Sequence, residues 1–240
     1  MDDQLLTSRF VRTDDPHDAN FVFPMPVEWW SRPYEYEWAR QFADPNAVVL
    51  DAACGIEHPL KFYLLDHCQK CFACDLDSRI ADGALMAEMS KSVYKLKDGD
   101  FPQRYLDSID YQVTSLTGLR YSNDMFDRVF CISTLEHLPD RLNKWPLLRV
   151  VESLLPLKRD IRDSLLEFKR VLKPGGLIVL TFDFPRVNLD YIHSLVDQLG
   201  LKFAGEVDFN RPADAHYTAE HGLYCFRTLL TDAAHPFSPA

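Results

Sequence analysis

Short apolar runs alternate with longer segments of helical periodicity from about residue 47 onward. The runs are rich in Val, Ile, Phe and Cys, and continuous apolar strands of this kind are typical of a parallel sheet buried on both faces. We therefore predict an α/β fold, a doubly wound, mostly parallel seven-stranded sheet with helices on both faces. The seven predicted strands span residues 47–52, 71–75, 111–115, 128–133, 176–182, 201–207 and 223–230.

Start and stop signals place three helices between these strands. Pro59 precedes LKFYLLDH, where it suits the first position of a helix. Asp77 and Ser78 can cap a second helix over RIADGALMAEMSK. A third helix, RDSLLEFKRVLK, carries apolar residues at helical spacing and ends at the Pro-Gly-Gly of residues 174–176.

Two segments fall outside this alternation. Residues 10–42 are dense in aromatic side chains, which predicts that they pack against the rest of the protein. The stretch LPDRLNKWPLLRVVESLLPLKRD has internal prolines at Pro146 and Pro156, which break any single long helix. We interpret residues 1–44 as an aromatic N-terminal lid or cap and residues 138–160 as an inserted helical lid, both within one domain spanning residues 1–240.

The charge balance narrows the class of partner. The chain has 36 Asp and Glu against 26 Lys and Arg, a formal net charge of -10, which disfavours nucleic acid and anionic membrane surfaces. The chain has no apolar run near the ~20 residues of a membrane helix, and its start lacks a basic segment followed by an apolar core. Six cysteines in apolar segments suit the free thiols of a reducing compartment. We expect a cytoplasmic protein with a small-molecule partner, without nucleic acid or membrane.

The stretch HCQKCFACDLD, residues 67–77, has two competing interpretations. Cys68, Cys71 and Cys74 lie at three-residue intervals beside His67, a ligand set that zinc or an iron–sulfur cluster would accept. Residues three apart on a strand point to opposite faces, however, so an extended CFAC cannot bring both of its cysteines to one metal. The alternating pattern also needs a strand here. We therefore predict a strand and no metal.

The predicted strand ends in Asp75, twenty positions after Gly55 in VVLDAACGIEHP. A strand, a turn of small residues, a helix and then an acid about twenty positions on is the nucleoside-binding arrangement of doubly wound sheets. A carboxylate can accept hydrogen bonds from both ribose hydroxyls. Asp75 is accordingly our ribose ligand, and the alternative is that it only caps the following helix.

Four stretches together resemble class I S-adenosylmethionine-dependent methyltransferases: VVLDAACG, CDLD, FDRVFCISTLEHL and LLEFKRVLKPGGLIVLTF, in that order. The resemblance covers about residues 45–230. It implies a Rossmann-like methyltransferase fold, with S-adenosylmethionine as cofactor. The cofactor-binding residues that it implies are Asp51 and the turn Ala53, Cys54 and Gly55 under the methionine part, Asp75, followed by Leu76, at the ribose, Ser115 and Leu116 at the adenine, and the backbone of Cys131 and Ile132 at the methionine amine.

Three positions depart from the family pattern. Glycine is usual at the positions of Ala53 and Glu57, and an acid that often meets the adenine amino group is replaced by Ser115. Ala53 adds only a methyl group, and the Ser115 hydroxyl can still accept a hydrogen bond. Glu57 sits beside a helix N-terminus, where its charge is favoured. It can lie near the cofactor carboxylate or hold the methionine ammonium, and both roles stay open.

Two further residues are candidates for the chemistry. Arg32, within WWSRPYEYEW, can pair with the cofactor carboxylate, and surface exposure is the alternative. His137, within STLEHL, follows the fourth predicted strand, and the resemblance places it near the transferred methyl group. An imidazole with an ordinary pKa of ~6.5 can take a proton from a nucleophile near neutral pH, with Glu136 orienting it. The alternative is that Glu136 and His137 only shape the cofactor pocket.

The leading functional hypothesis is S-adenosylmethionine-dependent methyl transfer to an oxygen, nitrogen or carbon nucleophile of a small molecule. A protein or peptide methyltransferase is a second hypothesis, since a basic peptide would be attracted to an acidic enzyme. A non-catalytic regulatory member of the fold, which has lost the turn glycines, is a third. A nicotinamide dehydrogenase is disfavoured because the turn lacks the glycine trio.

Overall fold

The computed structural model describes residues 3–138 and 159–238. The predicted inserted lid, residues 138–160, therefore lies outside the described residues except at its two ends. Within the described ranges, no helix combines the length and the apolar character needed to cross a membrane.

A single sheet organises the described chain. Its central strands β2 (Val48–Ala52), β3 (Lys70–Asp75), β4 (Asp110–Val113), β5 (Phe126–Ile132) and β6 (Leu172–Phe184) are parallel to their neighbours, in the spatial order β6-β5-β2-β3-β4. The long last strand, β9 (Leu223–Asp232), runs antiparallel to β6. The remaining strands β1 (Arg9–Phe10), β7 (Leu201–Phe203) and β8 (Tyr217–Thr218) all pair antiparallel with β9.

All seven predicted strands are present in the structure. The described residues contain nine strands, because the two-residue strands β1 and β8 escape a pattern that needs four residues or more to be visible. The mostly parallel α/β fold is confirmed, and the strand count of seven is too low by these two short edge pairings.

The helices cover both faces of the sheet, as predicted. Val49 on β2 packs with α2 (Arg32–Ala39) and α3 (Leu60–His67), whereas its neighbour Leu50 packs with α6 (Arg159–Val171) and α7 (Leu189–Gln198) on the other face. This alternation follows from the period of two along a strand. The α-helices are α1 (Asp3–Leu6), α2 (Arg32–Ala39), α3 (Leu60–His67), α4 (Gly83–Tyr94), α5 (Arg104–Asp107), α6 (Arg159–Val171) and α7 (Leu189–Gln198).

The helix boundaries differ from the prediction at three places. The predicted third helix extends to the Pro-Gly-Gly of residues 174–176, whereas α6 ends at Val171 and β6 begins at Leu172. Pro59 is the residue before the first turn of α3 rather than its first residue. Asp77 caps only a short 3₁₀ helix, Ser78–Ala81, and the longer helix α4 begins at Gly83, capped by the Asp82 side chain on the Leu85 N–H. Asp77 and Asp82 each cap a separate helix, but the sequence pattern shows only one helix start at this place. The prediction therefore joined the two helices into one.

The cysteine-rich stretch is a strand. Cys71 and Cys74 are both fully buried on β3, and they join the two different core clusters on opposite faces of the sheet. Their thiols cannot meet at one metal ion in this arrangement. Cys68 lies just beyond the end of α3, outside the strand.

The aromatic N-terminal segment packs against the sheet and its helices. Phe23 lies within 6.3 Å, centroid to centroid, of four rings from the body of the protein: Phe62, Tyr94, Phe101 and Tyr105. Trp29 stacks on His58 at 4.4 Å. These contacts hold α2 over the carboxyl end of the sheet, where its side chains help to form the functional site.

Candidate functional site

A cavity of about 380 Å³ opens at the carboxyl ends of the parallel strands β2, β3, β4 and β5. Open α/β sheets bind ligands at this edge. Eleven of the twelve predicted site residues line it: Arg32, Asp51, Ala53, Cys54, Gly55, Asp75, Leu76, Ser115, Leu116, Ile132 and His137. The twelfth, Cys131, does not line the cavity, because its side chain points into the core cluster on the α6 and α7 side, and Ser133 and Thr134 line the cavity beside Ile132 instead.

The turn after β2 is shaped by two residues in the left-handed region, Ala53 at φ 58° and Gly55 at φ 59°. The amide of Gly55 donates to the Asp75 carboxylate at 2.9 Å. A Cβ on Gly55 would come within 2.5 Å of the His58 ring, so glycine is required there by both space and conformation. The methyl group of Ala53 is tolerated despite its positive φ.

Lys61 stabilises this turn through hydrogen bonds to its backbone carbonyls. Its side chain is fully buried, and the ammonium donates to the carbonyls of Cys54 at 3.3 Å, Gly55 at 2.9 Å and His58 at 2.6 Å. Burial lowers the pKa of Lys61, while the nearby Cys54 and Asp51 oppose that shift. A lysine that satisfies three carbonyls in this way fixes the turn over which a ligand would lie.

Asp75 has both of its carboxylate oxygens in use. Oδ2 accepts from the Gly55 amide and Oδ1 accepts from the Asp77 amide, each at 2.9 Å. The second bond is local to the chain reversal after β3 and does not cap a helix, because Asp77 and Asp82 cap the two helices that follow. Each carboxylate oxygen can accept more than one hydrogen bond, and the side chain faces the cavity, which leaves capacity for ribose hydroxyls.

Asp51 lies at the base of the cavity, at the end of β2. It is 3% exposed, and its Oδ2 is buried without a hydrogen-bond partner in the described residues. Burial raises the pKa of Asp51 to about 7, although the Lys61 ammonium acts in the opposite direction. A buried carboxylate oxygen without a donor is costly, and a cationic ligand group would relieve that cost.

Arg32 and Glu35 form a buried ion pair on the first turn of α2. Glu35 also accepts hydrogen bonds from the hydroxyls of Ser31, Ser133 and Thr181. Burial disfavours the Glu35 charge, but Arg32 and the hydroxyls outweigh it and hold the pKa of Glu35 below its ordinary value. Glu35 therefore ties α2 to the ends of β5 and β6, and it keeps Arg32, which is not surface-exposed, at the cavity wall.

His137 lies at the mouth of the cavity, in the short helical turn Leu135–His137 that follows β5. Partial burial lowers the pKa of His137, as do the positive charges of Arg186 and Arg32. The imidazole is therefore neutral at pH 7. The neighbouring Glu136 turns inward, where its Oε1 accepts from the Asp183 amide at 3.0 Å and burial raises its pKa to about 8.

On the β4 side, Leu116 is buried against the core, and the Ser115 Oγ contacts the Thr117 Oγ at 2.9 Å. Leu76 is 72% exposed at the cavity rim. Glu57 is not among the lining residues, and its carbonyl accepts from the Tyr94 hydroxyl.

A comparison with protein families identifies the family of this chain. Residues 50–180 match the family described as the methyltransferase domain, which is more than half of the 240-residue chain. The chain belongs to this family. It is a class I S-adenosylmethionine-dependent methyltransferase, an enzyme whose cofactor is S-adenosylmethionine. No curated protein sequence matches the chain.

Solved structures share the fold of this methyltransferase at low sequence identity. The N-methyltransferase NodS from Bradyrhizobium japonicum WM9, in complex with S-adenosyl-L-homocysteine, aligns with a TM-score of 0.52 and 12% identity over 92% of this chain and 89% of that one. The Burkholderia thailandensis 1,6-didemethyltoxoflavin-N1-methyltransferase aligns at 0.52 and 15%, over 85% and 80%. The [4+2]-cyclase SpnF aligns at 0.55 and 12%, over 87% and 84%.

The cavity of the methyltransferase fits S-adenosylmethionine by the chemistry of its donors and acceptors. The Asp75 carboxylate suits ribose hydroxyls, the unpartnered oxygen of Asp51 suits the cationic methionine part, and Leu116 offers an apolar contact for the adenine. The volume of about 380 Å³ is within the range of small-molecule sites.

Sequence reasoning missed the residues that support this site from other elements. They are Glu35, Tyr36, His58, Lys61, Thr114, Ser133 and Thr134. Two signals were available: the polar residues inside the aromatic stretch WWSRPYEYEW, and a lysine within the otherwise apolar start of LKFYLLDH. Neither signal says which partner the side chain meets.

Proposed function

We propose that this methyltransferase transfers the methyl group of S-adenosylmethionine to an oxygen, nitrogen or carbon nucleophile of a small molecule. The observation that carries the proposal is a second cavity of about 240 Å³, which shares Arg32 and His58 with the cofactor cavity. A volume of that size suits a small acceptor or part of a larger one. N-methylation by NodS and by the toxoflavin-pathway neighbour, as their names state it, supports a small acceptor and includes nitrogen among the nucleophiles.

We assign the cofactor contacts residue by residue. Asp75 accepts hydrogen bonds from the ribose hydroxyls, Ser115 and Leu116 border the adenine, and Asp51 faces the methionine ammonium. The backbone after β5, at Ile132 and Ser133, takes the role that the family resemblance implies for Cys131 and Ile132. The Arg32 guanidinium pairs with the methionine carboxylate while Glu35 holds it in place.

The bound cofactor supplies a methyl group activated by a positively charged sulfur. The displacement is in line, so the chain has to align the acceptor, exclude water and receive a proton where one must leave. His137 is our proton acceptor, since its imidazole is neutral at pH 7 and lines the cofactor cavity next to the second cavity. The aromatic segment at residues 1–44 covers the site through Trp29 and α2, in the manner of a cap.

Two other functions remain as alternatives with defined tests. The SpnF neighbour is a [4+2]-cyclase by name, and on that ground we keep a member of the fold without methyl transfer as one alternative. A protein or peptide methyltransferase is disfavoured by the small size of the second cavity. We place the reaction in the cytoplasm, on the basis of the six free thiols.

The deciding experiment combines binding and turnover. Titration calorimetry should show S-adenosylmethionine and S-adenosylhomocysteine binding at one site, with no binding of NAD. Incubation of the enzyme and methyl-labelled S-adenosylmethionine with a small-molecule extract should then move label into low-molecular-weight products. Label in a peptide library alone would favour the protein methyltransferase, and binding without any transfer would favour the non-catalytic member.

The role of His137 can be tested in the same assay. His137→Ala should retain cofactor affinity within a few-fold, because the imidazole lies at the rim of the cavity. Turnover should fall about 10²-fold, the usual contribution of a positioned general base. His193→Ala, a change at an exposed histidine of α7, is the matched control. Turnover of His137→Ala that stays within a few-fold of the parent would show that alignment alone accounts for catalysis.

A further inference from the structure

A cluster of three polar side chains lies beside both the cofactor cavity and the second cavity. One nitrogen or oxygen atom from each of Glu136, His137 and Asp183 lies within 4.8 Å of the others. His137 lines the cofactor cavity and Asp183 lines the second cavity. The cluster therefore has one member at each of the two cavities, which share Arg32 and His58.

Each carboxylate of the cluster has one oxygen held by the protein and one without a partner. Glu136 Oε1 accepts from the Asp183 amide at 3.0 Å, and Asp183 Oδ2 faces Arg186 Nη1 at 3.4 Å. Glu136 Oε2 and Asp183 Oδ1 are buried with no hydrogen-bond partner in the described residues, and the Asp183 side chain is only 9% exposed. Leaving a buried carboxylate oxygen without a donor is unfavourable, so the cluster is built for a donor that comes from outside.

The surrounding charges favour a cationic donor. The Arg32 guanidinium is already paired with Glu35, and Arg186 and His221 lie near Asp183. Burial raises the pKa of Glu136 to about 8, so Glu136 holds a proton in the free enzyme at pH 7. A cation placed between Glu136 and Asp183 would favour the ionised form of both carboxyl groups, whereas a neutral or anionic acceptor would not.

The side chains that line the second cavity also favour an organic cation. Trp29 and Trp30 both line it, and Glu28 stands at its edge. Indole faces attract organic cations, and they also cover the apolar part of an amine. Aromatic faces combined with carboxylates are the usual means of recognising an alkylammonium group.

We propose that the second cavity binds the methyl acceptor as a small primary or secondary amine, with its nitrogen between Glu136, His137 and Asp183. The inference rests on the proposed function and narrows its nucleophile to nitrogen. Two positive groups, an ammonium and the cofactor sulfonium, have to come into contact here, and the carboxylates offset their repulsion.

The chemical step transfers one proton to His137 and one methyl group to the acceptor nitrogen. The ammonium gives one proton to the neutral imidazole of His137, and the freed lone pair of the nitrogen forms a bond to the methyl carbon. The electron pair of the carbon–sulfur bond goes to sulfur, so that the products are S-adenosylhomocysteine and a methylated ammonium. The imidazolium of His137 returns its proton to solvent.

The test compares amines with alcohols of the same shape on protein saturated with S-adenosylhomocysteine. Calorimetric titrations with tyramine and tyrosol, and with tryptamine and tryptophol, should give at least about tenfold tighter binding of the amine, the size expected for a charge-assisted hydrogen bond. Asp183→Asn and Glu136→Gln should each reduce that preference to about twofold or less. Asp197→Asn, a change of the same kind at an exposed position of α7, should keep it.

Several outcomes would overturn the inference. The inference is wrong if the alcohols bind as tightly as the amines, or if no amine binds. It is also wrong if both variants keep the preference for amines. Stoichiometric binding of Zn²⁺ or Mn²⁺ alone, lost in Asp183→Asn, would make the cluster a metal site instead. Saturation with S-adenosylhomocysteine is measured first in the same samples, for the parent and for both variants, so a failure of cofactor binding or of folding is seen separately from a failure of amine recognition.

Discussion

At the scale of the residue, Asp75 combines a structural role in the backbone with a position in the cavity wall. Its carboxylate organises the backbone by accepting from the amides of Gly55 and Asp77, and the same group faces the cofactor cavity. A side chain that is held by two backbone donors loses little freedom when a ligand binds, which favours tight recognition.

We expect Asp75→Ala to weaken S-adenosylmethionine binding by about 2–3 kcal/mol, because two hydrogen bonds to a charged acceptor are lost. Calorimetric titration measures the change. Asp77→Ala, two positions away and outside the cavity lining, is the control and should bind the cofactor normally. Affinity of Asp75→Ala within twofold of the parent would show that the ribose assignment is wrong.

Asp51 should release a proton when the cofactor binds. Its pKa of about 7 means that about half of the free enzyme holds that proton at pH 7. The cationic methionine part favours the ionised carboxylate and lowers its pKa, so affinity should rise with pH up to about 7 and level off above it. Calorimetry in phosphate and in Tris, which differ in ionisation enthalpy, should show the release. Equal heats in the two buffers, or unchanged proton release in Asp51→Asn, would contradict this role.

At the scale of the element, α2 is joined to the sheet by polar contacts as well as by the apolar packing of Tyr36, Trp38 and Ala39. Glu35 meets hydroxyls from the ends of β5 and β6, and its oxygen also lies 3.6 Å from the Cys225 thiol on β9. One side chain of an eight-residue helix therefore connects three strands. Tyr36, on the next position, reaches His58 Nδ1 at 2.9 Å and completes the cavity wall.

We expect Glu35→Ala to lower the free energy of unfolding by about 3–5 kcal/mol, because it leaves the Arg32 guanidinium buried without its partner. Glu35→Gln should cost less, since the amide oxygen still accepts from the hydroxyls. Urea unfolding measures both, with Glu28→Ala at an exposed position of the same segment as the control. A loss below 1 kcal/mol in Glu35→Ala would mean that α2 is held by its aromatic contacts instead.

At the scale of the whole molecule, buried ionisable groups collect on one edge of the sheet. Asp51 and Glu136, with pKa values of about 7 and about 8, lie at the ends of β2 and β5. They hold protons in the folded enzyme that the unfolded chain releases near pH 4. The edge of the sheet that we propose for the cofactor therefore carries buried carboxyl groups whose ionisation the fold disfavours.

The free energy of unfolding should consequently fall as pH rises from 6.5 to 8. In that window the folded enzyme binds more protons than the unfolded chain, so stability decreases with pH. His58 and His137, whose pKa values are lowered, act in the opposite direction only below about 6.5. Urea unfolding at pH 6.5, 7.2 and 8 measures the slope, and Glu136→Gln should reduce it whereas Glu220→Gln should not. A slope that Glu136→Gln leaves unchanged would assign it to other groups.

The sequence by itself determined the α/β class, the seven longer strands and the strand character of CFACD. Hydrophobic periodicity and turn residues are local properties, and they favour a given secondary structure independently of how the chain packs later. The same locality explains why residues of the cavity wall at the turn after β2 and at the end of β3 could be predicted from the sequence. The carboxyl ends of parallel strands lie at the same edge of the sheet, independently of the conformation of the connecting loops.

Only the tertiary structure decided the rest. Glu35 meets Thr181 across 146 positions, and Glu136 meets Asp183 across 47. Contacts of that separation leave no periodic signal, because they depend on how the strands order themselves in the sheet and on where the aromatic segment packs. Cys131 shows the same limit within a single strand, since the sequence cannot say which of two neighbouring residues faces the ligand until the register of β5 against β2 and β6 is set.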